Sequence, residues 1–435
     1  MRLKISLFSL VTLLACCTSS VAQPPGIDGN RWTNAGGIAL SQTQGFAQGD
    51  PMRLTWGFAR EGTTIASFGT GPSGPSDLIA RMDAIYGSGP GGADLTLRPW
   101  YNHYKGVFDR WSSISGLSYQ YEANDDSVAY SSSASAATNG ILNTRADVRI
   151  GGRNIDGNSG VLAFNFFPTV GDMVIDTNDN FFGTPGSSTN VIGLRNVVAH
   201  EHGHGIGMNH LLASDSSQLM EPFINTSFDG PQFHDILVAQ RAYGDFNEKG
   251  AGNDISANAT SLGAIAIATA VSVGNSARTL VVPANATDFV SIDDNTDTDV
   301  FSFSVAQSGN ISVLLESLGF TYKAEPQSGG GADDDFNTRL RSDMTLELLG
   351  TNGSTVLASA NATGLGGSES ISGFLLNTAG TYFVRVTGVD NADAISLDTQ
   401  FYGLTLNFSA VPEPATAALF AVVGMAFLTI RRRRS

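Results

Sequence analysis

HEHGHGIGMNH, residues 200–210, holds four of the six histidines in the chain. On a helix, His200 and His204 lie one turn apart on one face, so both imidazoles reach a single metal, while Glu201 sits about 100° round beside it. Gly207 then ends the helix, because only a residue without a Cβ takes at little cost the positive φ that doubles the chain back. His210 can close the ligand set from outside the helix. Three neutral nitrogens leave a fourth position for water, which is the arrangement of a catalytic zinc; a structural zinc takes four protein ligands, usually with cysteine. Upstream, NVIGLRNVV, residues 190–198, has the periodicity of a buried helix. His202 projects from the opposite face and is expected to be a supporting or solvent-facing residue. His103 and His234 lack the spacing and are expected to be structural.

On these residues the chain resembles the metzincin metalloproteases, and within them the matrixins. The pattern His-Glu-x-x-His-x-x-Gly-x-x-His is complete at His200, Glu201, His204, Gly207 and His210. Leu219-Met220-Glu221-Pro222 resembles the family's methionine turn, in which Met220 would floor the zinc, though the interval from His210 is slightly long. Asp235-Ile236 through Tyr243-Gly244 resembles the closing helix, Phe108-Asp109-Arg110-Trp111 the first long helix, and Met52-Arg53-Leu54-Thr55-Trp56 the first strand.

The resemblance implies an α+β metzincin catalytic domain, a twisted mixed sheet with long helices, and a zinc-dependent endopeptidase in which Glu201 is base and then acid. It implies that a peptide substrate pairs antiparallel with an edge strand at Val161-Leu162-Ala163-Phe164, and that Pro222-Phe223-Ile224 walls the primed-side pocket. It also implies calcium at Asp156, Gly157, Asp172, Asp176 and Asp179, since hard oxygen donors in Gly/Asn-rich loops suit that ion. The same residues form such turns without a metal. A second, structural zinc is not expected: Phe164 and Val174 stand at two of its family positions, and neither side chain binds metal.

A chain of 435 residues has room for two or three domains, and 42% hydrophobic content is ordinary for a globular protein. The net charge of −16, with basic residues dispersed apart from a terminal run, offers no stripe to follow phosphates. Nucleic acid is excluded as an expected partner on that ground.

Both termini read as processing signals. Residues 1–22 combine a basic start, an apolar stretch and Ser20-Val21-Ala22, as a secretory signal peptide does. Cys16 and Cys17, the only cysteines, lie inside it, so cleavage after Ala22 leaves no thiol and no disulfide. Leu13-Leu14-Ala15-Cys16 is an imperfect lipoprotein box and leaves acylation of Cys16 as the alternative. Val411-Pro412-Glu413-Pro414, an apolar stretch at 415–430 and four arginines resemble the Pro-Glu-Pro sorting tail processed by exosortases in Gram-negative bacteria. That resemblance implies passage through the inner membrane and release or attachment at the outer cell surface. A plain C-terminal anchor is the alternative.

Between protease and tail, Val300-Phe301-Ser302-Phe303-Ser304-Val305, Ile311-Ser312-Val313-Leu314-Leu315 and Thr381-Tyr382-Phe383-Val384-Arg385-Val386 alternate with period two between turn residues, which predicts an all-β sandwich. Asp297-Thr298-Asp299-Val300-Phe301, Gly380-Thr381-Tyr382 and Tyr402-Gly403-Leu404 resemble the bacterial pre-peptidase C-terminal domain. The acidic loops at 293–299 and 333–335 are expected to be solvated turns, with calcium as the alternative. The expected order is signal peptide 1–22, N-terminal segment 23–48, protease 49–250, sandwich 251–409 and sorting tail 411–435. A surface-associated binding or matrix protein using the metzincin domain as a scaffold is the competing function. Glu201 weighs against it, because a scaffold needs no general base beside three zinc ligands.

Overall fold

The computed structural model describes residues 31–33, 47–133, 135, 139–187, 189–212, 216–294, 296–326, 334–341, 343–388 and 399–411. The signal peptide with Cys16 and Cys17, the sorting tail from residue 412 and the acidic residue Asp333 lie outside the described residues.

The first part of the chain supplies strands β1 (Met52–Phe58), β2 (Thr64–Ile65), β3 (Gly74–Pro75), β4 (Leu117–Tyr121), β5 (Val148–Arg153), β6 (Ala163–Asn165), β7 (Met173–Asp176) and β8 (Leu211–Leu212). With them come helices α1 (Leu78–Tyr86), α2 (Tyr101–Ser113), α3 (Val191–Gly205) and α4 (Phe233–Tyr243). Five strands form one sheet in the order β4-β1-β5-β7-β6, in which only β6 runs antiparallel to its neighbour. Strand β1 is buried along nearly its whole length, as a strand with parallel neighbours and both faces covered should be. Trp56 of β1 stacks on Phe108 of α2 with ring centroids 4.4 Å apart, and the Trp111 indole of α2 donates to the Ala199 carbonyl of α3. Helix α2 is therefore the layer between the sheet and α3. It begins at Tyr101, earlier than the Phe108 motif implies, and α1 is a further helix that the sequence pattern does not announce.

Helix α3 has defined ends. The Asn190 side chain caps it by accepting the Gly193 amide at 2.9 Å. At the other end the Met208 amide bonds the Gly203 carbonyl and the Gly207 amide bonds the His204 carbonyl, with Gly207 at φ 106°. That pair of bonds is a Schellman stop. The helix thus ends at Gly205, two residues before the glycine that turns the chain. Trp32 adds a bond from outside, its indole nitrogen donating to the Gly205 carbonyl at 2.7 Å.

The remaining strands are β9 (Thr260–Ala264), β10 (Thr269–Val273), β11 (Ser291–Ile292), β12 (Thr298–Val305), β13 (Gly309–Ser317), β14 (Thr321–Pro326), β15 (Asp334–Asn337), β16 (Met344–Leu349), β17 (Val356–Ala360), β18 (Ser368–Leu376), β19 (Gly380–Gly388) and β20 (Gln400–Ser409). Two sheets, β10-β20-β13-β18 and β17-β16-β19-β12-β9, enclose a core that includes Phe301, Phe303, Val313, Leu346, Val384 and Leu406. The alternation read at 300–305, 311–315 and 381–386 corresponds to β12, β13 and β19. The two parts share a core as well: Val282, Phe289, Leu318, Tyr322, Phe336 and Phe401 belong to the same buried cluster as Trp111, Met220 and Phe233. Hairpin β14–β15 leaves the sandwich and pairs with β8 to make a sheet ordered β15-β14-β8.

Candidate metal centre

His200 and His204 reach one point from one face of α3, and the turn at Gly207 brings His210 to the same point. The Nε2 atoms of His200 and His204 each lie 3.1 Å from Nε2 of His210. Tetrahedral ligands at about 2.05 Å from a zinc would be about 3.3 Å apart, so the trio fits that ion. The second nitrogens agree. Nδ1–H of His200 donates to the Leu219 carbonyl at 2.7 Å and Nδ1–H of His204 to the Met208 carbonyl at 2.6 Å. A carbonyl only accepts, so each Nε2 is left with its lone pair toward the site. Burial lowers His200 to a pKa of about 3 and His204 to about 4, which keeps both neutral and able to ligate.

Glu201 is fully buried, and neither carboxylate oxygen has a hydrogen-bond partner among the described residues. Burial alone raises it to about 8. A buried carboxyl without protein donors is costly, and one next to His200 in the chain fits a neighbouring cation and water.

Met220 lies against α3 where Gly203 has no side chain: a Cβ there would stand 2.3 Å from the Met220 sulfur. The turn that carries it is held by Asp235 of α4, whose carboxylate accepts the amides of Leu219 at 2.8 Å, Met220 at 3.1 Å and Gln232 at 2.7 Å. Asp235 is buried and raised to about 6 by that burial. His202 is buried rather than solvent-facing; its Nε2 is 2.7 Å from the Tyr119 hydroxyl and its ring packs against Phe108. His234 is buried and bonds Tyr322, and His103 is half-buried against Tyr86.

The substrate-wall residues fall as follows. Leu162, Ala163 and Phe164 are buried, and the edge strand is β6 at Ala163–Asn165, one to two residues later than the sequence suggests. Pro222, Phe223 and Ile224 are half-buried just beyond Met220. Phe164 and Val174 lie in an apolar cluster with Ile65, Tyr130 and Ile155.

The expected calcium residues separate into two places. Asp176 accepts the amides of Asp156 and Gly157, Asp179 accepts that of Ser159, and Asp156 accepts that of Val161. Asp172 is elsewhere, buried beside Arg149, whose guanidinium also bonds Asp125. Among the described residues the groups of three that could hold an ion are the histidine trio and Glu248, Asp254 and Asp297. The second group lies where the first part of the chain passes into the sandwich. Asp245, Asp293 and Asp299 adjoin it, and burial first, then mutual repulsion, pushes these carboxyls above the usual range. Beside them Asn253 is 1% exposed; its amide donates to Asp299 while its Oδ1 has no partner among the described residues.

Sequence reasoning missed the roles of Asp235, Tyr119 and Trp32; of the junction group it singled out the loop at 293–299, with calcium as the alternative to a solvated turn, but not Glu248 and Asp254. A visible signal existed for the first, since Asp235 opens a recognisable helix. None existed for Trp32, whose partner is more than 170 positions away.

Residues 101–244 match the family described as Matrixin, and residues 297–388 match the bacterial pre-peptidase C-terminal domain. Two solved structures are similar to part of the chain. The pre-peptidase C-terminal domain of collagenase from Bacillus anthracis is 17% identical, covering 35% of this chain and 94% of its own, with a TM-score of 0.19. A β-glucosidase from Paenibacillus barengoltzii is 13% identical, covering 35% of this chain and 11% of its own, with a TM-score of 0.17. No curated protein matches the chain. The chain carries a matrixin domain, which marks a metallopeptidase, followed by a β-rich pre-peptidase C-terminal domain.

Proposed function

We propose that the chain is an exported zinc-dependent endopeptidase that cuts extracellular proteins. The observation that carries this is the convergence of the His200, His204 and His210 Nε2 atoms beside a buried Glu201 whose carboxylate has no partner among the described residues. His200, His204 and His210 would hold the zinc, which when bound supplies a water of lowered pKa and polarises the scissile carbonyl. Glu201 takes a proton and returns it to the leaving amine. Leu219 and Met208 fix the ring orientations of two ligands, and Met220 packs the apolar floor behind them. A substrate in extended conformation is assigned to β6, one of the two edge strands of the sheet, with Pro222, Phe223 and Ile224 as the wall beyond it. Hydrolysis of casein or gelatin by residues 23–410 tests the reading. Cleavage lost on chelation and in Glu201→Ala is the expected result; a zinc-loaded chain that cuts no peptide bond overturns it in favour of a scaffold.

Calcium is proposed as a second, structural cofactor. The junction group Glu248, Asp254 and Asp297 supports it through its carboxylates and the Asn253 Oδ1, which has no partner among the described residues; Asp156, Gly157, Asp176 and Asp179 form the alternative loop. Export by the signal peptide and processing of the tail by an exosortase remain proposals from the sequence, and mass spectrometry of both mature ends checks them.

A further inference from the structure

We propose that the C-terminal sandwich is a working part of the metal centre, its β14–β15 hairpin and Tyr322 positioning the segment that carries His210 and Met220. This rests on the reading of the histidine trio as a metal site.

The chain leaves His210 directly into β8, two residues long. On one side the Leu211 amide bonds the Met220 carbonyl at 2.9 Å. On the other, β8 pairs with β14 of the sandwich, Leu211 opposite Pro326 and Leu212 opposite Glu325. No other strand pairs with β8 among the described residues. The residue after the third ligand is therefore held between the methionine turn and the sandwich.

The same hairpin grips α4, the helix that anchors the methionine turn. Tyr322 of β14 is buried, and its hydroxyl lies 2.6 Å from Nδ1 of His234. The His234 amide donates to Gln218, just before Leu219, and the next residue, Asp235, takes the Leu219 and Met220 amides. Phe233 packs edge-on against Phe320 and Phe401 of the sandwich, with ring centroids 5.0 and 5.1 Å apart. One residue earlier, the Gln232 side-chain oxygen accepts the Val282 amide. The methionine-turn end of the loop thus leads within one or two residues to the sandwich, while Asn196 and Arg195 of α3 hold the stretch at Asn225, Phe228, Asp229 and Gly230.

Ligand-orienting contacts outside the first set commonly govern metal affinity by about 10- to 100-fold. Tyr322 is accordingly a positioning residue, and the backbone pairing of β14 does the same work for the strand.

The test uses the full chain in three variants: Tyr322→Phe, Glu325→Pro, which prevents β14 from pairing normally with β8, and Tyr382→Phe. Tyr382 bonds Thr378 within the sandwich and serves as the control. Zinc affinity is read by competition with a chromophoric chelator, alongside the thermal transition. Weakening of about tenfold or more in the first two variants, with Tyr382→Phe unchanged, is the expected result. If the parent binds one zinc and the first two variants bind it equally well, the sandwich does not position the site and the inference is overturned alone. A parent that binds no zinc overturns it together with the metal-centre reading.

Discussion

Asp235 of α4 and His200 of α3 are fastened to opposite ends of one residue: the Asp235 carboxylate accepts the Leu219 amide at 2.8 Å, and the Leu219 carbonyl accepts Nδ1–H of His200 at 2.7 Å. Leu219 precedes Met220, so the position of the methionine and the orientation of the His200 ring are set together. Asp235→Asn keeps the size of the side chain but replaces an acceptor oxygen with a donor facing backbone amides. The expected outcome is a loss of about 1–3 kcal/mol of stability and zinc binding weaker by about tenfold. Chemical denaturation and chelator competition measure the two effects, and unchanged zinc binding would break the proposed linkage.

Gly203 faces Met220 so closely that an added Cβ would overlap the sulfur. Gly203→Ala should therefore push the methionine away, costing about 1–3 kcal/mol as overpacking does. The mechanism can be separated from ordinary helix effects by a double-mutant cycle with Met220→Ala. If the clash is the cause, the double variant is more stable than the sum of the two single losses predicts. Strict additivity would mean that the two residues are not coupled.

The histidine pattern is legible because its geometry is local. Spacing on one helix places His200, His204 and Glu201, and a glycine at Gly207 is the only ready way for the chain to bring His210 back within three residues. Period-two alternation likewise made β12, β13 and β19 visible. What was not legible depends on distance along the chain. His202 was read from its helical face alone, and its burial follows from Tyr119 and Phe108, which arrive from another strand and helix. Asp172, grouped by resemblance with a calcium loop, is instead committed to buried Arg149. The carboxylates at the junction come from separated stretches, and of these only 293–299 stands out in the sequence, as a turn with calcium as the alternative.

Gly207 should be the least replaceable glycine of the site. At φ 106° an alanine is strained by about 1–3 kcal/mol, and the strain falls on the turn that delivers His210. Gly207→Ala is expected to lower the thermal transition and to weaken zinc, whereas the same change at exposed Gly62 adds a Cβ with no neighbour within 4 Å. Gly62 also has positive φ, so it controls for backbone strain alone. Equal zinc affinity in both variants would dissociate the turn from the metal site.

The acidic junction gives a calcium prediction with a definite sign in pH. Burial raises Asp245 to about 7, and Glu248, Asp293, Asp297 and Asp299 are pushed upward by burial and by one another. A carboxyl whose folded pKa is raised holds its proton more tightly folded than unfolded. From about pH 4 to 7 the unfolded chain therefore binds fewer protons, and stability falls as pH rises. Asp172, raised to about 7, Asp235, raised to about 6, and Glu201, raised to about 8, add to the same slope and outnumber His200, His202 and His204, whose lowered pKa values give the opposite one. In chelated protein the melting temperature should thus decline from pH 5 to 7. Calcium takes the place of protons only at the junction, so the stabilisation it gives should be larger at pH 7 than at pH 5, reaching about 2.7 kcal/mol at a hundredfold excess over its dissociation constant. Asp297→Asn should shrink the calcium-dependent shift and Asp176→Asn should leave it intact. The opposite pattern would move the ion to the loop at Asp156, Asp176 and Asp179, and a melting temperature indifferent to calcium at both pH values would remove the ion from the protein.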